Sequence, residues 1–331
     1  MVSIQNQKMN CKNIKAYAME KPTLLMLGSY PDWEMPLLEA QYQVLKLWEQ
    51  DDKPAFIAKH AAQIRAIATR GDLGAPSELI NALPKLEIIS FFGVGLDAID
   101  LNVAKARGIR VTITPDVLTS DVADIAMGLC LSVARNMPQG DAHVRSAAWS
   151  KGMLPLATRM TGKRMGIIGL GQIGLAIAKR AQAFDMPIAY HNRKKRDDVS
   201  YAYCETVEAL AAQSDFLVAV IPGGAATQSL IGAAAFIALG KDGYFINVAR
   251  GSVVDEAALL HALEKGVIKG AGLDVYLNEP NPDPRFAKLN NVVLQPHVGS
   301  ATFETRRGMG QLVRDNLAAH FTGKPLPSAV V

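Results

Sequence analysis

Met165-Gly-Ile-Ile-Gly169-Leu-Gly171-Gln-Ile-Gly174 is the stretch on which the fold turns. Residues 165–168 form a short apolar run closed by glycine, the pattern of a strand buried on both faces. Leu175-Ala-Ile-Ala-Lys-Arg-Ala181 then continues at helical spacing. Strand, tight turn and helix with glycines at 169, 171 and 174 make a dinucleotide-binding fingerprint. Gly169 permits the turn, Gly171 admits a pyrophosphate close to the backbone, and Gly174 lets the helix pack tightly. The N–H groups around Leu170, Gln172 and Ile173, with the helix dipole behind them, then face phosphate.

The chain on both sides alternates short β-rich runs with amphipathic stretches. Upstream, strands are expected at 23–27, 43–47, 64–69, 86–91 and 110–114, with helices near 36–40, 54–60, 76–82 and 101–107. Residues 118–149 carry the longest helical character and predict one long helix from the first unit towards the second. Downstream, six strands are expected at 165–168, 187–191, 216–221, 244–248, 270–275 and 292–295, followed by a last helix over 302–320. The fold class is therefore α/β with two doubly wound parallel-sheet domains, the first flavodoxin-like and the second a Rossmann dinucleotide-binding domain. The expected division is an extension over 1–20, a substrate-binding domain from 21–117 and 299–331, and a dinucleotide-binding domain over 118–298.

A chain of 331 residues exceeds what one core usually serves. Its net charge of +4 is spread among interspersed acids and bases, which argues against nucleic acid as a partner. Cys11, Cys130 and Cys204 are odd in number and far apart, fitting a reducing, cytoplasmic compartment and offering no zinc spacing. No run approaches the ~20 apolar residues that span a bilayer, and residues 1–20 read as a polar extension in which Met9 and Met19 are alternative starts.

The strand at 187–191 ends where this fold usually carries an acid for the ribose 2′-hydroxyl. Here it is followed by Asn192-Arg193-Lys194-Lys195-Arg196. A neutral Asn192 with Arg193 and Lys194 suits a 2′-phosphate, so NADP(H) is expected over NAD(H); a solvated basic loop is the plainer reading.

Three polar residues fall at the carboxyl ends of later strands, where this architecture builds its sites. Arg250 follows 244–248, Glu279 lies beyond 270–275, and His297 follows 292–295. Alone, each suits a surface salt bridge or a structural histidine. Together they suit reduction of a small 2-keto acid. A carboxylate orients an imidazole and raises its proton affinity, the imidazolium protonates a carbonyl oxygen as hydride arrives, and a guanidinium orients the substrate. His60, His143, His261 and His320 fall in helical or polar surroundings and take no role.

Gly169-Leu-Gly-Gln-Ile-Gly174, Asn247-Val-Ala-Arg-Gly251, Gly272-Leu-Asp-Val275 with Glu279-Pro280, and Pro296-His-Val-Gly-Ser300 occur in the order of the D-isomer-specific 2-hydroxyacid dehydrogenases. The chain resembles that family from about residue 23 to its end. The resemblance implies catalytic roles for Arg250, Glu279 and His297, and a place for Asp274 near the nicotinamide carboxamide. It also implies that the Val94 and Gly95 amides meet the substrate carboxylate, and that Pro222, Thr227, Val248, Ala249 and Gly299 lie along the cofactor. Within the family the chain is most similar to the NADP-using glyoxylate/hydroxypyruvate reductases, by its 190–194 run, its Pro222-Gly223-Gly224 turn with Thr227, and Trp149. In similar reductases the arm after the long helix wraps a second subunit, so a homodimer is implied, with Trp149 either at the partner's pocket or buried in an interface. Asp124 departs from the Glu common at its position. D-lactate, phosphite or larger keto-acid dehydrogenases, and dinucleotide-sensing proteins on the same fold, stay open as alternatives.

Overall fold

The computed structural model describes residues 21–71 and 73–331; the expected extension over 1–20 lies outside the described residues. The first unit runs β1 (Thr23–Met26), α1 (Met35–Gln41), β2 (Gln43–Lys46), α2 (Lys53–His60), β3 (Ile64–Arg70), α3 (Ser77–Ala82), β4 (Ile88–Phe92), α4 (Leu101–Ala106) and β5 (Arg110–Thr112). Its strands are all parallel in the order β2-β1-β3-β4-β5, the doubly wound flavodoxin-like arrangement. β1 and β4 are buried along their whole length, as parallel strands covered by helices on both faces must be.

Two helices follow, α5 (Thr119–Ala134) and α6 (Met137–Arg145). The single long helix expected over 118–149 is therefore broken. Asn136 takes the left-handed conformation (φ 52°) between them, and Pro138 sits in the first turn of α6. Proline has no N–H to continue the ladder of a preceding helix, and asparagine tolerates the left-handed region, so the break is local chemistry.

The second unit runs β6 (Met165–Ile168), α7 (Gln172–Gln182), β7 (Ile188–His191), β8 (Ala202–Tyr203), α8 (Val207–Ala212), β9 (Phe216–Ala219), α9 (Ala233–Leu239), β10 (Tyr244–Asn247), α10 (Glu256–Glu264), β11 (Gly270–Leu273) and β12 (Val292–Leu294). Its strands are parallel in the order β12-β11-β10-β9-β6-β7-β8. This is the Rossmann order with one strand added beyond β11. Seven strands replace the six expected. The extra one, β8, pairs only through Ala202 and Tyr203, too short a run to show a period of two. Fully buried Tyr190, Phe216, Phe236 and Phe245 fill the layers around this sheet.

The last helix, α11 (Phe303–Phe321), returns to the first sheet. Thr302 caps it by accepting from the Thr305 N–H at 3.1 Å, and the Thr305 hydroxyl donates to Val117 O at 2.9 Å. Arg314 pairs with buried Glu34, His320 Nε2 lies 3.1 Å from Glu87 Oε2, and the tail bridges β5 from Ala329 to Thr112. No helix among the described residues is long and apolar enough to cross a membrane. The carboxyl ends of β4, β6, β10, β11 and β12 supply the loops described next.

Candidate active site

The glycine loop connects β6 to α7 through Gly169, whose φ of 101° is one that a side chain would strain. The Gly169 N–H donates to His191 O at 2.9 Å, and the Leu170 N–H donates to Asn192 Oδ1 at 2.7 Å. Asn192 thus ties the end of β7 to the loop. Gly171 caps α7 without a side-chain partner, and the N–H groups of Gly171, Gln172 and Ile173 make no hydrogen bond among the described residues. Such a helix start, with unclaimed amides, is an anion seat.

Arg193 and Lys194 are exposed and form no ion pair among the described residues, so their charges are uncommitted. Arg196 joins these residues in the structure. Its Nη1 donates to Leu170 O at 2.7 Å, its Nε donates to Asp198 Oδ1 at 2.9 Å, and its backbone N–H donates to the Tyr190 hydroxyl at 2.8 Å. The basic run at 193–196 carried the signal, but sequence does not say which of its cations folds back onto the loop.

Around His297 the chain is closely determined. Its φ of 53° is unusual for a residue with a side chain, and Asp274 holds the backbone there. Asp274 O accepts from the His297 N–H at 2.8 Å, Asp274 Oδ1 from the Val298 N–H at 2.8 Å, and Asp274 Oδ2 from the Gly299 N–H at 2.9 Å. Burial holds the Asp274 carboxyl above its usual pKa despite these donors. His297 Nδ1 meets Glu279 Oε2 at 2.6 Å, while Glu279 Oε1 accepts from the Tyr276 N–H at 2.9 Å. Burial pushes the Glu279 carboxyl up, but the hydrogen bonds from His297 and Tyr276 and the charges of His297 and Arg250 outweigh it. Glu279 accordingly lies below the usual carboxylate value.

That depression fixes a sign. Stability from Glu279 is fully present above the usual carboxylate pKa, about 4.3, and is lost as pH falls through its lower folded value. Wild type should therefore resist urea better than Glu279→Gln at pH 7, with the gap closing towards pH 3. A gap that widens on acidification would contradict this assignment.

Arg250 stands at the end of β10 on a turn set by buried Asn247. Asn247 Oδ1 accepts from the Ala249 N–H at 3.0 Å, and Asn247 Nδ2 donates to Arg250 O at 3.1 Å. Val248 and Ala249 are buried in that turn. Within the Asn247-Val-Ala-Arg-Gly251 motif, Asn247 thus shapes this corner. The loop beyond β4 comes up against Arg250, so that a side chain at Gly95 would fall on Arg250 Nη2. The N–H groups of Val94 and Gly95 donate to no acceptor among the described residues, and Thr114 anchors the loop by donating its N–H to Gly93 O at 2.8 Å. Asp97, which no local sequence signal singles out, accepts from Arg250 Nε at 3.2 Å.

The structure thus brings Arg250, Glu279, His297, Asp274 and Gly299 into one cluster and sets Gly95 against it. The turn at Pro222 lies alongside, closed by the Thr227 hydroxyl donating to Pro222 O at 2.8 Å. Trp149 sits apart, 61 % exposed, with its Nε1 donating to Met153 Sδ at 3.4 Å.

Residues 127–299 match the family model described as D-isomer specific 2-hydroxyacid dehydrogenase, NAD binding domain. The chain is 47 % identical over 313 residues to hydroxyphenylpyruvate reductase of Plectranthus scutellarioides, covering 95 % of this chain and 100 % of that one. It is 46 % identical over 313 residues to glyoxylate/hydroxypyruvate reductase A of Arabidopsis thaliana, with the same coverage of 95 % and 100 %. Among solved structures it resembles an NADPH-dependent glyoxylate/hydroxypyruvate reductase from Sinorhizobium meliloti in complex with NADP and malonate. The TM-score is 0.89 at 41 % identity, over 94 % of this chain and 97 % of that one.

Proposed function

We propose, for a chain that belongs to the D-isomer-specific 2-hydroxyacid dehydrogenase family, NADPH-dependent reduction of small 2-keto acids, glyoxylate to glycolate and hydroxypyruvate to D-glycerate. The observation that carries the reading is the His297–Glu279 contact at 2.6 Å beside Arg250, whose Nη2 stands where a side chain at Gly95 would be.

The donor set fits a phosphorylated dinucleotide. The unclaimed amides of Gly171, Gln172 and Ile173, with Gly169 and Leu170, suit a diphosphate. Arg193 and Lys194, beside neutral Asn192, suit a 2′-phosphate. The proposed contacts along the cofactor are Pro222, Thr227, Val248 and Ala249, with Asp274 and Gly299 at the cluster itself. Bound there, NADPH supplies the hydride. The Val94 and Gly95 amides hold the substrate carboxylate, Arg250 orients the carbonyl and balances charge growing on its oxygen, and His297 gives that oxygen a proton. Glu279 can only accept, so Nδ1 carries hydrogen and Nε2 of the imidazolium carries the proton that is passed on.

Steady-state kinetics with both cofactors and a panel of 2-keto acids test this reading. NADPH should exceed NADH in kcat/KM, and Arg193→Ala should cut that preference about tenfold. Equal or better kcat/KM with NADH would overturn the cofactor assignment. Including 4-hydroxyphenylpyruvate tests the aromatic substrate that the Plectranthus relative's name carries. NADPH binding without turnover on any keto acid would favour a dinucleotide sensor.

The proposed division places the substrate-binding domain at 21–117 and 299–331 and the cofactor domain at 118–298, supported by α11 packing on β4 and α5 packing on β10 and β11. Closure about the crossings near 118 and 298 would exclude water from the site. The working unit is a homodimer. Met137, Val144, Trp149, Met153 and Leu156 leave an exposed apolar track over α6 and the arm beyond it, a surface that a second copy would cover. Leu156→Ser with Met153→Ser should shift sedimentation towards monomer; unchanged dimer would place the interface elsewhere. Buried, unpaired Cys130 and Cys204 support a reducing, cytoplasmic setting.

A further inference from the structure

Arg250 is held from two sides before any substrate arrives. Its Nε donates to Asp97 Oδ1 at 3.2 Å and its Nη1 donates to Ala249 O at 2.7 Å. The side chains of the pair are 26 % and 25 % exposed. Asp97 belongs to the loop beyond β4 and Arg250 to the turn after β10, so the pair spans the crevice between the two sheets. With Nε and Nη1 engaged, Nη2 is the edge turned to Gly95, where it occupies the place a side chain would take. A Cβ at Gly223 would likewise lie 3.2 Å from both Arg250 Cγ and Asp97 Cγ. Glycines from both sheets' loops therefore flank a slot that fits this ion pair and little else.

A long arginine loses much rotamer freedom when it is fixed, and fixing it in advance removes that cost from the reacting complex. A carboxylate beside an anionic keto acid repels it, so any benefit from Asp97 must come through the cation it holds.

We propose that Asp97 is the positioning residue for Arg250, setting the guanidinium so that Nη2 meets the substrate beside the Val94 and Gly95 amides. This rests on Arg250 as the substrate-orienting cation, and Asp97 touches no reacting atom.

The test is a double-mutant cycle in the full-length protein with NADPH and hydroxypyruvate. Asp97→Ala should lower kcat about tenfold with KM changed less than about threefold. Asp97→Asn, which keeps an acceptor oxygen, should recover part of that loss. On an Arg250→Ala background, Asp97→Ala should cost nothing further, which a merely structural role would not produce. NADPH affinity and thermal midpoint report folding in each variant; should Asp97→Ala not fold, Asp97→Asn carries the same cycle with a smaller loss. Unchanged kcat in the folded Asp97 variant, a lowered KM as its main effect, or losses that multiply in the double variant would overturn the proposal. Near-normal turnover by Arg250→Ala alone would instead remove the reading of Arg250 on which it rests.

Discussion

His297→Gln is expected to lower kcat for hydroxypyruvate by about 10²–10⁴-fold, the range that a positioned general acid supplies. Glutamine has comparable reach and can donate a hydrogen bond, but it has no proton to transfer. The geometry makes the loss specific to chemistry. Nδ1 is committed to Glu279 at 2.6 Å, and Nε2 makes no hydrogen bond among the described residues, so one nitrogen is anchored and the other remains for the substrate. The cofactor seat proposed on the glycine loop and at 192–194 uses other residues, so NADPH affinity should stay within about threefold of wild type. Near-normal turnover would remove His297 from the acid role and leave the keto-acid mechanism without a proton donor.

Arg250→Ala should lower kcat/KM by about 10²–10³-fold, with KM and kcat both affected. The guanidinium is the cation placed against Gly95, and its charge adds a minor lowering to the Glu279 carboxyl after the hydrogen bonds from His297 and Tyr276. Its loss therefore removes chiefly an orienting contact. Lysine at 250 should restore little, because its three N–H groups radiate from a single nitrogen and cannot span the separate positions from which Nε reaches Asp97, Nη1 reaches Ala249 O and Nη2 faces Gly95. Full recovery by lysine would mean that charge alone matters, and that the orientation described here does not.

Much of this was legible in the sequence where the signal is local. The apolar run at 165–168, its glycines and the following helix are contiguous, and parallel strands buried on both faces read as unbroken apolar segments. Arg250, Glu279 and His297 each stand just past such a segment, which is why strand ends alone nominated them. The errors have local causes as well. The helix over 118–149 fails at Asn136 and Pro138, a break that the apolar content of 125–134 conceals. Ala202–Tyr203 is too short to announce a strand. Asp97 could not be read, because its partner is 153 positions away and only the approach of the two sheets brings them together. Neutral Asn192 suits a neighbouring phosphate, and its side chain also accepts from the Leu170 N–H, a loop-to-strand tie that spacing does not reveal. Asp274 likewise holds the backbone on which His297 is mounted, a role visible only once the 297–299 amides are seen to converge on it.

The most direct test of the central claim follows the atoms. Hydroxypyruvate should be incubated with purified protein and NADPH bearing deuterium at the transferred position of nicotinamide C4, and the product resolved by chirality and mass. Stoichiometric D-glycerate with deuterium at C2, formed by wild type and nearly abolished in His297→Gln, is the result predicted. L-glycerate, unlabelled glycerate, or bound NADPH that never turns over would contradict it.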